Sequence, residues 1–416
     1  MPAALEDRSQ WSPWRAVVAF GLVSLAADMV YEGMRSVAGP FLGSLGASAL
    51  TVGVVTGAGE ATALVLRLVT GAWADRSQQH WRLTVTGYAM TAVCVPLLAI
   101  APFVGAAGVA VASVLILLER TGKAIRSPSK SALLARMATH TGRGRGFAVH
   151  QALDQVGAFV GPLVVAGAAA ATGELWTGFL VLAVPGAVSL LLLAQLRRRV
   201  PSVAAPEPDD GGVSHPHPQR GLAALGTDLP RSFHLFSLAV ALTTAGLMTF
   251  GVISFRFVDR GLVPIAAAPV VYAVAMACGA LAALASGDLF DRVGARVLLA
   301  VPALVAVVPL LVYADELAVV LVGIALWGAA AGVQDSTVKA YVADLVPGRR
   351  RATAYGVLAA VQGVGALLGG ALAGALVVHH VAALAAGIAA LQVAAFVLLA
   401  VVLRTSARGP LPAGSR

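Results

Sequence analysis

Charge is what this chain has least of. Asp, Glu, Lys and Arg together make up 12% of its 416 residues, and aromatic residues only 6%. An ordinary soluble domain carries about 25% charged residues. The two cysteines, Cys94 and Cys278, each sit inside an apolar run. They are too few for a disulfide scaffold and wrongly placed for a zinc site, and read as small packing residues. There is no phosphate-binding glycine loop, no metal-ligand spacing and no nucleophile elbow, so no enzyme site and no cofactor is expected. His215 and His217 stand in a polar, proline-rich tract and read as linker rather than as metal ligands. What is abundant is apolar: 58% hydrophobic residues and 45 glycines, with a mean hydropathy of +0.85.

Apolar runs of membrane-spanning length recur from end to end, which indicates an all-α membrane protein. Twelve transmembrane helices are expected, at roughly 14–43, 48–74, 82–103, 106–127, 145–171, 175–197, 232–258, 264–288, 296–314, 317–340, 350–378 and 382–403. The opening run leads straight into Asp28 and Glu32 without a small-residue cleavage site, so it is expected to be the first span, not a leader. The net charge of +9 and a pI near 10.2 could suggest nucleic acid, but the distribution argues against it. Arg76, Arg82, Arg136, Arg143, Arg145, Arg197, Arg198, Arg199, Arg292, Arg296, Arg349, Arg350, Arg351 and Arg404 fall in alternate loops. The positive-inside rule then puts both termini in the cytoplasm of a bacterial inner (plasma) membrane. The expected partners are the lipid bilayer and a small-molecule substrate, with no nucleic acid, for a chain acting as a monomer.

Into this apolar background the first span places Asp28, Glu32 and Arg35. Spacings of three, four and seven put them on one helix face. A charge at the bilayer centre costs about 2.5–3.5 kcal/mol even on the lenient insertion scale, so these must face a partner or a wet cavity. Glu60 in the second span falls at similar depth, and Arg67 follows it on the same face. Asp28, Glu32, Arg35, Glu60 and Arg67 are therefore the candidate cavity. Desolvation favours a neutral carboxyl and a nearby arginine favours the charged one, so a carboxyl whose arginine comes and goes can load and release a proton. The alternative is an ion-pair network that only locks two helices together. Further candidates are Glu119 and Arg120 at the cavity floor, the same-face pair His150 and Asp154, and Asp335 with Lys339 one turn on as a brace. The end of the fourth helix, through Lys123 and Arg126, has the bland reading of a solvated terminus with snorkelling side chains, which is preferred for Lys123.

The chain repeats itself. Gly71-Ala-Trp-Ala-Asp75-Arg76 closes one helix and Gly287-Asp-Leu-Phe-Asp291-Arg292 another, at an offset of 216. The offset falls to 208 later, where Gly157 and Gly161 match Gly365 and Gly369. Two pseudo-repeated six-helix bundles, 1–199 and 232–416, are expected on either side of a cytoplasmic linker, 200–231. The ionic residues do not repeat: Asp28 maps to Thr244, Glu32 to Met248 and Glu60 to Met276. The second half would supply an apolar wall, with Met248, Phe250, Phe255 and Tyr272 as candidates.

The two aspartate–arginine segments resemble the G-x-x-x-D-R-x-G-R loop of the major facilitator superfamily. Gly157, Gly161 and Pro162 are similar to the helix-5 motif of its proton-coupled exporters. Ser24–Glu32, Gly59–Thr62, Arg120–Arg126 and Gln334–Ser336 resemble a bacterial subgroup of that superfamily. The resemblance implies the major facilitator fold and alternating access driven by a proton gradient. It also implies that Gly71, Asp75, Arg76, Gly287, Asp291 and Arg292 form gate loops, with Asp75 facing the start of helix 11. The expected function is a secondary transporter, first as a proton-coupled exporter of a small amphiphilic or drug-like compound. The alternatives are proton-coupled uptake of a small polar or anionic metabolite anchored on Arg35 or Arg67, and a receptor or scaffold that does not transport.

Overall fold

The computed structural model describes residues 11–141, 143–200, 228–347 and 350–406. Most of the expected linker, with His215 and His217, lies outside the described residues, as do Arg349 and the side chain of Arg143. Among the described residues the structure is helical throughout. The elements are α1 (Pro13–Ser44), α2 (Ala49–Ser77), α3 (His80–Leu97), α4 (Gly108–Met137), α5 (Arg143–Thr172), α6 (Leu175–Val181), α7 (Ala183–Arg199), α8 (Arg231–Leu247), α9 (Phe250–Asp259), α10 (Ala268–Val293), α11 (Ala300–Val312), α12 (Leu317–Leu345), α13 (Arg351–Leu376) and α14 (Val381–Ser406). Local chemistry sets the first boundaries. Ser12 caps α1 by accepting from the Arg15 N–H, with Pro13 in the first helical turn. Ser48 caps α2 through the Thr51 N–H.

Eleven stretches are long and apolar enough to cross a membrane, and one of them, Ile265–Val312, has 48 residues. As a single helix it would be about 72 Å long, more than twice the ~30 Å hydrocarbon core. It turns back at Gly294, where φ is +69°. Along α12, Gly328 lies against Ala275 and Gly332 against Gly279, so α10 runs parallel to it. Gly323, nearer the start of α12, meets Leu311 at the end of α11, so α11 runs antiparallel. The stretch is therefore two passes, and the described residues make twelve.

Two expected spans are interrupted. The sixth breaks at Leu182 into α6 and α7, and the seventh breaks at Met248, which has φ +57°. Trp327 Nε1 donates to the Leu247 carbonyl at 2.7 Å, which satisfies the acceptor freed by that break. The fourth span runs ten residues past its expected end. Pro128 sits inside α4 instead of stopping it, and the helix reaches Met137. Outward-facing Leu191, Leu281, Leu284, Leu310 and Val393 are left bare. So wide an apolar belt is suited to lipid, not water.

The packing divides into three cores. Two lie toward the side that carries the arginine-rich loops, the basic side. One belongs to α1, α3, α4 and α7, around Phe20, Tyr88 and Leu193. The other belongs to α8, α12, α13 and α14, around Phe236, Tyr341 and Val402. The third fills the opposite side and joins both halves, from Val37 and Phe41 to Phe250, Tyr272 and Trp327. The halves are thus sealed on one side and have separate cores on the other.

The seal is made by backbone. A Cβ on Gly39 would stand 1.9 Å from the Gly251 carbonyl oxygen, one on Gly53 2.1 Å from that of Gly370, and one on Gly374 2.4 Å from that of Ala49. The internal repeat is visible in the same terms. Gly157 and Gly161 press on the backbone of Leu25 and Met29, and Gly365 and Gly369 on that of Ala241 and Ala245. The contacted residues are 216 apart and the glycines 208 apart, the two offsets read from the sequence.

Candidate functional site

Asp28, Glu32 and Arg35 lie on the face of α1 that the other helices surround. Arg35 is the hub of the upper group. Its Nη2 lies 3.1 Å from Glu60 Oε1, and its Nη1 lies 3.6 Å from Glu32 Oε2. The same Nη1 donates to the Tyr272 hydroxyl at 3.1 Å, and that hydroxyl donates to Glu32 Oε2 at 2.5 Å. Tyr272 is on α10, so this triangle crosses from one half to the other. A second bond across the halves joins Thr56 and Thr249 at 2.7 Å.

The network continues into α4. Arg120 reaches Glu60 at 3.7 Å and Glu119 at 3.1 Å, while its guanidinium stacks over the Tyr31 ring at 4.0 Å. Glu119 accepts from Thr91 at 3.1 Å, and Arg126 donates to the same Thr91 hydroxyl at 2.5 Å. Arg126 also holds Asp28, at 3.8 Å. The five expected cavity residues therefore do not form one cluster. Asp28 is paired with Arg126, one step removed from the group of Glu32, Arg35 and Glu60. Arg67 has no ion pair among the described residues, and its Nε is buried without a hydrogen-bond partner.

Toward the basic side lies a third group. Lys130 donates to Asp154 at 3.2 Å and to Ser24 at 2.9 Å, and Ser24 meets the Tyr88 hydroxyl at 3.1 Å. His150 Nδ1 is 3.6 Å from Asp154, its ring edge-on to Phe20. The His150–Asp154 pair is thus part of a larger group centred on a lysine that the sequence reading passed over.

Accessibility separates these residues. The side chains of Arg35, Glu60 and Asp28 keep 29%, 24% and 20% of their exposure, whereas Arg120 and Glu119 keep 4% and 1%. Because Arg35 contacts the other half through Tyr272, its exposed surface faces the space between the halves and not lipid.

Several expectations are corrected by these positions. Lys123 does not snorkel away: its Nζ lies 3.5 Å over the Tyr31 ring. Arg126 is buried and paired, not solvated. Asp335 and Lys339 are both exposed and form no ion pair with each other, so the brace is not made. Asp75 and Asp291 are exposed with no ion pair among the described residues, so the contact of Asp75 with the next bundle is not made in this conformation. Arg76 and Arg292 are likewise exposed, and Gly71 and Gly287 have open space or a loose contact beside them. Of the expected wall, Phe250 stacks on Tyr272 and Trp327 in the sealed core, and Met248 marks the helix break.

A profile described as Major Facilitator Superfamily matches residues 18–314 and 265–415. The chain belongs to the Major Facilitator Superfamily. It is a multi-pass membrane protein and a transporter rather than an enzyme. An uncharacterized protein of Mycobacterium tuberculosis (strain ATCC 25618 / H37Rv) is 49% identical over 393 residues, covering 94% of each chain. An uncharacterized MFS-type transporter of Methanocaldococcus jannaschii is 25% identical over 377 residues, covering 86% of this chain and 88% of its own. Among solved structures, a mutant of the nucleoside transporter NupG superposes with a TM-score of 0.75 at 14% identity, covering 93% of this chain and 99% of that one. At that identity the likeness is one of fold.

Proposed function

We propose that this superfamily member is a proton-coupled secondary transporter, in which Glu60, Glu32 and Asp28 exchange protons as arginine partners come and go. The observation that carries the reading is Glu60. It is held by two arginines from different helices, Arg35 at 3.1 Å and Arg120 at 3.7 Å, and stays partly accessible. The arginine nearer to it, Arg35, is tied to Tyr272 of the other half. When the halves rock, that tie changes, and with it the balance that keeps Glu60 charged. On this reading the conformation described is one end of the cycle: the halves share a core on the side opposite the basic loops, and on the basic side they keep separate cores and touch where Gly356 of α13 meets Leu68 of α2. By the positive-inside rule that side is the cytoplasm of a bacterial inner membrane, so the state is inward-facing.

Of the two directions, export of an amphiphilic compound leaned on the Gly157–Pro162 motif. Those glycines pack against α1 just as their counterparts pack against α8, so they carry no directional information. Uptake of a small polar or anionic solute gains support from Arg67, which makes no ion pair among the described residues and has an unpartnered buried Nε.

The test is a pH jump on proteoliposomes fixed to a sensor surface. Wild type is expected to give a transient charge movement, and Glu60→Gln to lose most of it. Undiminished charge movement with Asp28, Glu32 and Glu60 all neutralised would refute proton coupling at this site.

A further inference from the structure

Resting on the transporter reading, the next question is what the space between the halves binds. The central groups of the first half comprise six cations, Arg35, Arg67, Arg120, Lys123, Arg126 and Lys130, and five acids, Asp28, Glu32, Glu60, Glu119 and Asp154. Every acid has a cation within 4.0 Å. Two cations have no acid at that distance among the described residues: Arg67 and Lys123.

Those two stand on adjacent helices. The helices α2 and α4 run parallel in close register: Gly59 lies against Arg120 and Ile116, the Thr70 hydroxyl donates to the Ala124 carbonyl, and Gly71 meets Pro128. That register places Arg67 level with Lys123, about two turns beyond Glu60 on α2 and one turn beyond Arg120 on α4, toward the basic side. Their directions also agree. On α2, Gly57, Ala61, Val65 and Leu68 meet α13, while Gly59 and Thr70 meet α4. At 100° per residue, Glu60 and Arg67 fall midway between those two faces, opposite the bare Val69. On α4, Lys123 falls between the face on α2 and the face on α3, opposite the bare Val114. Both cations therefore point to the centre, where Lys123 covers the Tyr31 ring and Arg67 stands within electrostatic reach of Tyr31 and of Glu60. Asp335, on α12 of the other half, is also within reach of Arg67 but not paired with it.

We propose that Arg67 and Lys123 form the substrate's anion subsite, and that the substrate is a small organic anion bearing a carboxylate or phosphate. A guanidinium fork with an unused buried N–H, and a lysine that covers an aromatic face and makes no ion pair among the described residues, are donors with room for an acceptor. An anion supplies that acceptor and balances the surplus positive charge. The surplus grows when a central carboxyl takes up a proton, which gives proton binding and anion binding the same sign.

The experiment is a thermal-shift measurement on purified full-length protein in neutral detergent, at fixed pH and matched ionic strength, with no gradient. The anion probes are inorganic phosphate, succinate and benzoate; tetraphenylphosphonium is the cation probe, and chloride the reference. At least one anion is expected to raise the melting temperature in a saturable way, with no effect of the cation. Arg67→Gln and Lys123→Gln are each expected to weaken the apparent affinity by about tenfold or more. Arg67→Lys, which keeps the charge, guards against a merely misfolded variant and is expected to lose less. The inference is overturned if no anion exceeds chloride, if the cation stabilises instead, or if both glutamine variants respond like wild type. Stabilisation by phosphatidylglycerol but by no soluble anion would also overturn it, by making the ledge a lipid site. Because no pH gradient is applied, proton coupling at Glu60 can fail without touching this result, and the reverse.

Discussion

Removing one oxygen atom should unlatch the closed side. In Tyr272→Phe the ring stays packed against Phe250, but the hydroxyl that accepts from Arg35 at 3.1 Å and donates to Glu32 at 2.5 Å is gone. Hydrogen bonds to charged groups contribute about 1.5–3 kcal/mol each. Both partners keep other contacts, Arg35 with Glu60 and Glu32 with Arg35, so the net loss is taken as one such bond rather than two. These bonds cross the halves, so the loss falls mainly on the state sealed on the side opposite the basic loops. At about 1.4 kcal/mol per factor of ten, the population shifts toward the reverse state by roughly ten- to a hundredfold. The assay is the distance distribution between spin labels on exposed Ser44→Cys and Asp259→Cys, in a background where Cys94 and Cys278 are serine. A wider distance should appear or grow in the variant. An unchanged distribution, in a variant that melts like the parent, would mean that the Tyr272 tie does not hold the seal.

Three further outcomes are expected. Gly39→Ala drives a methyl to 1.9 Å from the Gly251 oxygen, so the same label pair should report that the side fails to close, while a wild-type distance would rule out this seam. Gly161→Ala meets the Met29 oxygen at 2.2 Å and should destabilise by about 1–3 kcal/mol, seen as a lower melting temperature that its counterpart Gly369→Ala reproduces. Lys130→Ala leaves Asp154 without its lysine, but the pair keeps 21% and 13% of its side-chain exposure. The cost should therefore stay below the 3–5 kcal/mol of a fully buried pair, at about 1–3 kcal/mol, and Asp154→Asn in the same chain should recover part of it. No recovery in the double variant would show that the two do not act as a pair.

The fold was legible because hydropathy and charge asymmetry are strong signals, and because glycine spacing survives duplication: Gly157 and Gly161 are matched in space by Gly365 and Gly369. What misled was local chemistry taken at face value. The expected fourth span ends at 127, yet α4 continues to Met137, so Lys130 fell outside the expected helix and the charges before it read as a solvated terminus. Proline is tolerated there because the Ala124 carbonyl, left unpaired by its missing N–H, accepts from the Thr70 hydroxyl at 2.8 Å. The break at Met248 falls between Gly246 and Gly251 but on neither, and is held by Trp327, which bonds to the Leu247 carbonyl from 80 residues away. The site was legible as an inventory of charges but not as a set of pairs. Helical periodicity puts Asp28 and Arg35 on one stripe, but only the packing of α4 against α1 decides that Asp28 belongs to Arg126 and not to Arg35.

The glycine seam has a mechanical consequence. Where Gly39 meets Gly251 and Gly53 meets Gly370, main chains touch with no side chains meshed between them. Along those lines of contact the joint has no teeth and so no ratchet positions of its own, the meshed side chains such as Phe41 and Phe250 lying beside it in the shared core. The decision to part or stay shut must then be taken elsewhere, by whatever happens to the few charged groups a short distance along α1 and α2. The smooth surface transmits that decision, and its bareness is what leaves the charges in command.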